Sequence, residues 1–224
     1  MGMASKLCVH EKRIILILLN FGDSWAHAAD VEKGEGYAWV MSYPLEAQVL
    51  DFSVPSSSVP SMILQLQTFL EYNYDPNANY RALFFITAQE RQLTFDKNGK
   101  PVELHPNHDG EYYAKYYNNR QGNFNLNTAV IALQSMCRRY QIDDHYLLGW
   151  QLTPLWKEVD TTKFYDQGRS SAINMFNGPK TSLQELIDTK SDCLIENNWH
   201  PSKQGHFVIA EKWLDWINYT QSIA

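Results

Sequence analysis

The chain is predicted to fold as a single α/β domain around a mainly parallel sheet. Three observations carry this. Short continuous apolar runs recur along the sequence, as expected of strands buried on both faces. They alternate with segments whose apolar residues fall at helical spacing, which implies βαβ units. Polar loops follow the apolar runs, and a parallel sheet gathers such loops along its carboxyl edge. The 224 residues can enclose one sizeable core, and no repeat, low-complexity tract or linker divides them.

The first strand is expected at Arg13–Asn20, an Ile- and Leu-rich run stopped by Gly22. The same stretch mimics a secretory signal: Lys12-Arg13, an apolar core from Ile14 to Leu19, then small residues around Ala26-His27-Ala28. Cleavage after Ala28 would discard a strand and a Gly-Asp-Ser turn, so a buried strand is the expected reading and no signal is expected. The run is too short to span a membrane. A second strand is expected at Ala47–Ser53, followed by a Ser56-Ser57-Ser58 loop. A helix is expected at Pro60–Tyr72, where Pro60 suits the first turn and Met62, Leu66, Phe69 and Leu70 share a face. Arg81–Thr87 is the third strand. Leu93–Leu104 carries Asn98-Gly99, a strong turn signal between two short strand-like arms.

Residues 105–125 are polar and rich in Tyr, Asn and His, and are expected to be an irregular excursion with a helical turn or two. A helix is expected at Asn127–Tyr140, with Val130, Leu133, Met136 and Cys137 on one face. Tyr146–Leu152 is the fourth strand, ended by Thr153-Pro154. Residues 157–180 are weakly patterned, Thr181–Lys190 reads as a short helix, and Pro201–Tyr219 as the last helix, with Phe207, Ala210, Leu214 and Ile217 at core spacing. No fifth strand is predicted. Right-handed crossovers then require the strand order 2-1-3-4.

The formal net charge of −6 argues against nucleic acid or an anionic membrane as the main partner. Cys8, Cys137 and Cys193 are odd in number and scattered, with no disulfide framework or metal spacing, so a reduced, cytoplasmic compartment is the default. His105, His108 and Asp109 are compact enough for metal ligation, but a solvated loop is the expected state and no metal or organic cofactor is implied. Seven Trp and thirteen Tyr are many for this length. The surplus suits a core, carbohydrate stacking or a protein interface through 105–125. Tyr112, Tyr113, Tyr116 and Tyr117 are expected to pack a small helix onto the domain.

The chemistry sits in four polar stretches. Ser24 follows the first strand in Gly22-Asp23-Ser24. Ser56 to Ser58 follow the second, Thr87-Ala88-Gln89-Glu90 the third, and His200-Pro201 enters the last helix. A serine and a histidine brought together supply a nucleophile and a general base, the minimum for acyl transfer. His206, one turn inside the helix, is expected to be structural.

These stretches, in this order over nearly the whole chain, resemble the SGNH or GDSL-type hydrolases. Phe21-Gly22-Asp23-Ser24 matches that family's first block, and Asn197-Asn198-Trp199-His200-Pro201, continuing to Gly205-His206, matches its last. The resemblance implies a three-layer α/β/α, flavodoxin-like fold and a serine esterase. Ser24 would be the nucleophile, His200 the base, and the backbone N–H of Ser24 and Ser56 with the Gln89 amide would form the oxyanion hole. A small acyl group on a sugar is the implied substrate, with lipid, thioester and aryl esters open. The chain departs from the family at three places. Ser56 stands where the second block has glycine, Gln89 where the third has asparagine, and Asn197 where the last has the triad aspartate. Glu196, Asp192 or a backbone carbonyl could orient His200 instead. The departures leave open a non-catalytic binding or structural protein, of the kind found with phage virions, and an acyltransferase.

Overall fold

A computed structural model describes residues 15–149, 152–177, 183–189, 191–196 and 198–223. Among them the main sheet has four strands, β1 (Leu16–Phe21), β2 (Gln48–Asp51), β3 (Asn79–Ile86) and β6 (Asp143–Leu148), all parallel in the order β2-β1-β3-β6. This is the order the crossover rule requires. Arg13 and Ile14, expected in the first strand, lie outside the described residues, as does Cys8.

Alternate strand residues face opposite layers. Leu19, Phe21, Tyr80, Ala82, Phe84 and Ile86 face α3 (Val59–Tyr72) and α5 (Asn119–Arg139). Leu18, Leu83, Phe85 and Leu147 face α2 (Tyr37–Leu45), α6 (Ala172–Asn177) and α8 (Lys203–Ser222). The fold is a three-layer α/β/α sandwich. A row of stacked rings crosses the sheet near its carboxyl edge: Phe52, Phe21, Phe84, Tyr146 and Phe164, with neighbouring centroids 5.4, 4.8, 4.9 and 4.9 Å apart. Each contact adds roughly 0.5–1.5 kcal/mol beyond area burial. The row extends past β6 because Phe164 and Ser171 make single parallel bridges to it, the beginnings of a fifth position.

Four expectations need correction. β6 begins at Asp143, three residues before the expected start. Its charged opening is accommodated because Asp143 accepts from Arg81 Nε at 2.9 Å and lies 3.0 Å from His145 Nε2. The strand closes at Leu148; Trp150 and Gln151 are not described. The second strand is shorter than Ala47–Ser53, as suits an edge position. α5 starts at Asn119, eight residues before the expected Asn127, so the last third of the irregular excursion, residues 119–125, is helix. Asn118 caps it by accepting from Gln121 N–H at 3.0 Å, and its first two turns are too polar to show a stripe. Finally, no helix was predicted where α2 forms; Pro44 lies in its last turn.

The short helices α1 (Ser24–His27), α4 (Gly110–Lys115) and α7 (Leu183–Asp188) complete the set. β4 (Gln92–Phe95) and β5 (Pro101–Leu104) form the expected antiparallel hairpin, a separate two-stranded sheet. Glu103 at its end accepts from Ser58 N–H at 3.1 Å and from the Ser61 hydroxyl, so the hairpin braces the start of α3. Tyr113 donates to the carbonyls of Glu90 and Leu104, and Tyr113 and Tyr117 pack with centroids 5.1 Å apart. The excursion therefore seals the hairpin onto the domain. Tyr116 remains exposed.

Candidate active site

β1 delivers the chain to Gly22, whose φ is +152°. A Cβ there would lie 2.6 Å from Ala26 Cβ and 2.9 Å from Phe85 Cβ. Only glycine lets the chain turn this tightly against β3. Asp23 then caps α1. One carboxylate oxygen accepts from Trp25 N–H at 2.9 Å; the other accepts from Thr87 Oγ1 at 2.7 Å and Arg91 Nη1 at 2.9 Å. The first and third polar stretches are thus joined by a fully buried carboxylate. Asp23 was not a sequence candidate, although an acid in the Gly-Asp-Ser turn and an arginine four residues after Thr87 were both visible.

Ser24 is the first residue of α1 and 8 % exposed. Among the described residues its hydroxyl has no hydrogen-bond partner, and its N–H is one of the amides a helix start leaves without a carbonyl. Buried Asn20 fixes the surroundings. It donates to Ala26 O at 2.9 Å and to Asp51 at 3.0 Å, and accepts from the Tyr37 hydroxyl at 2.9 Å.

The loop after β2 lies against the same turn. Val54 N–H donates to Gly22 O at 3.0 Å, and the Ser57 hydroxyl donates to Gly22 O at 2.7 Å. Ser56 is exposed with φ +67°, the left-handed region that glycine takes freely. Its N–H has no acceptor among the described residues. Ser56 therefore takes a backbone conformation in which glycine would be unstrained. Gln89 is half-buried. Its carbonyl accepts from Gln92 Nε2 at 2.7 Å, while its own amide is unbonded among the described residues.

His200 is held by its own segment. Its N–H donates to Asn198 Oδ1 at 3.1 Å, its carbonyl accepts from Ile195 N–H at 2.8 Å, and Ser202 N–H donates to Cys193 O at 2.9 Å. Trp199, the residue before it, sits at φ +59°, a strained setting for a tryptophan. α8 packs so closely on this segment that a Cβ at Gly205 would fall 2.2 Å from Cys193 O. His206 is buried, accepts from Tyr37 N–H through Nδ1 at 3.4 Å, and is structural here. Burial, aided by the nearby His200, pushes its pKa down to about 4.

No hydrogen bond joins Ser24 and His200, and His200 instead pairs through Nδ1 with Asp30. Neither Asp192 nor Glu196 bonds the ring. Asn197 lies outside the described residues. Asp30 was missed because nothing local marks it: it stands 170 residues from His200 in the chain. A pocket of about 410 Å³ opens beside Trp199, walled by Leu186, Leu194, Ile195 and Glu196. Among the described residues no three His, Cys, Asp or Glu side chains are grouped as a metal would need, and no helix is long and apolar enough to cross a membrane.

No family model matches the chain, and no curated protein is similar to it in sequence. Solved structures are similar in fold. A G-D-S-L-family lipolytic protein from Desulfitobacterium hafniense superposes with a TM-score of 0.52 at 9% identity, covering 90% of this chain and 98% of its own. The acetylxylan esterase Axe2 from Geobacillus stearothermophilus gives 0.51 at 14% identity, over 91% and 94% of the two chains. The psychrotrophic esterase EstA from Pseudoalteromonas gives 0.50 at 15%, over 92% and 98%. The chain has the SGNH-hydrolase fold.

Proposed function

We propose that this protein is a serine-dependent ester hydrolase in which Ser24 attacks an ester carbonyl while His200 takes its proton. The single observation that carries the reading is the Gly22–Ser24 turn. It presents a hydroxyl without a partner at a helix start, on a carboxylate-anchored backbone. The loop facing it holds Ser56 in the left-handed conformation of a glycine oxyanion donor. The N–H groups of Ser24 and Ser56, with the Gln89 amide, would receive the charge that develops on the carbonyl oxygen. Such donors are worth about 10²–10³ in turnover each where they have been removed. Water would then deacylate Ser24 with the same histidine as base. His200 would have to come within about 3 Å of Ser24 for either proton transfer, a closure that substrate-bound sites commonly complete.

The substrate class we favour is a small acyl ester of a carbohydrate. The half-exposed Trp199 next to His200 offers a sugar-stacking surface, and Axe2, similar in fold, is an acetylxylan esterase. The test is labelling by a fluorophosphonate and turnover of p-nitrophenyl acetate, followed by acetylated xylo-oligosaccharide. Labelling that maps to Ser24 and turnover abolished by Ser24→Ala support the reading. Turnover indifferent to Ser24→Ala, or no labelling at all, replaces it with a binding protein on a hydrolase fold.

A further inference from the structure

The geometry points to Asp30 as the acid that positions His200, taking the part that Asn197 cannot play. This inference rests on the hydrolase reading above. The carboxylate of Asp30 accepts from Nδ1 of His200. A carboxylate on Nδ1 fixes the tautomer with the proton on that nitrogen, and leaves the Nε2 lone pair to accept a proton from a serine. It also supplies the negative charge that stabilises imidazolium as it forms, which an asparagine amide cannot.

The acid comes from the segment that follows the nucleophile rather than from the segment that carries the histidine. α1 ends at Ala28, whose φ of 54° and ψ of 44° turn the chain back. Residues 29–37 then run onto the start of α8, and three contacts tie them there. Asp30 holds His200, Glu35 accepts from Lys203 Nζ at 2.5 Å, and Tyr37 N–H donates to His206. Asp30 is the sixth residue after Ser24, so one short stretch would set both the nucleophile and the base's orientation. Asp30 and His200 are each partly exposed, at 35 % and 26 % of the side chain, so water screens the pair. The effect of removing it should be smaller than the ~10⁴-fold loss known for a buried triad acid.

Asp30→Asn keeps the shape and removes the charge. The expected result is a fall in kcat on p-nitrophenyl acetate of about 10²–10³-fold, with KM within about threefold and the thermal midpoint unchanged. Asp30→Glu should recover at least a tenth of the wild-type rate. In the Ser24→Ala background, ¹⁵N NMR of His200 should show the Nδ1–H tautomer, lost in Asp30→Asn. An unaltered rate in Asp30→Asn, or an unaltered tautomer, overturns the inference. Absence of turnover in the wild-type chain would instead remove the hydrolase reading, and the tautomer measurement alone would then decide Asp30's role.

Discussion

The Gly22–Ser24 turn and the His200 segment are built to opposite plans. Ser24 rests on buried groups. Asp23 is fully buried, takes hydrogen bonds from Trp25, Thr87 and Arg91, and neutralises an Arg91 whose side chain is only 11% exposed. His200 rests on a partly exposed hydrogen bond to Asp30 and on the hydrogen bonds of one irregular loop. A buried, fully bonded group holds its geometry at a high energetic stake, while exposed pairs contribute little to stability and give way easily. The absence of a Ser24–His200 hydrogen bond fits this asymmetry. Ser24 stands on the more deeply buried and more fully bonded of the two segments.

Five substitutions or conditions break or sharpen the contrast. The largest effect should come from Ser24→Ala, with turnover down by at least ~10³-fold and no change in the urea midpoint, since the hydroxyl has no described partner to lose. Asp23→Asn should act on the fold instead. It leaves the Arg91 guanidinium buried beside a neutral amide, at about 3–5 kcal/mol of stability in urea unfolding. The matching Asp30→Asn should stay within about 1 kcal/mol of wild type. Equal losses in the two variants would erase the contrast.

Acidification comes next. The His206 pKa of about 4 in the folded chain lies below its unfolded value near 6.5. The unfolded chain therefore binds the extra proton in that window, and stability should fall as pH drops from about 7 toward 4, by roughly 2–3 kcal/mol. His206→Gln should flatten that part of the pH dependence of urea unfolding. A smaller effect is expected of Asn197→Asp. It should raise p-nitrophenyl acetate turnover about tenfold in an Asp30→Asn background and far less in the wild type, where an acid already serves His200. Equal gains in both would mean that Asp30 supplies nothing. Smallest is Ser56→Gly. Releasing a left-handed serine should stabilise the chain by about 0.5–1 kcal/mol, net of glycine's added chain entropy, with turnover within about twofold.

The fold was legible because it depends on local patterns that add up. Leu16–Phe21 and Asn79–Ile86 are apolar runs broken only at Asn20, Asn79 and Arg81, as suits strands covered on both faces, and α3 shows its stripe openly. The elements that were misjudged are those whose sequence answers to a neighbour. The charged start of β6 makes sense only beside Arg81, and the polar first turns of α5 only beside Gln92 at the start of β4. α2, apolar on most sides, shows no stripe to read.

For the candidate site, the chain order and residue types of Gly22-Asp23-Ser24, Ser56, Gln89 and His200 marked the carboxyl edge of the sheet before any fold was known, because chemistry demands particular residues in particular loops. Sequence by itself also puts Asn197 where the resembled family has its triad acid. It could not show which acid meets His200. Any of the chain's 25 acidic residues was a candidate, and spacing along the chain pointed to Glu196 and Asp192, neither of which bonds the ring. Only the tertiary structure sets Asp30 against Nδ1 of His200. The physical reason is that a hydrogen bond depends on separation in space, and the turn at Ala28 brings together two residues that no local pattern connects.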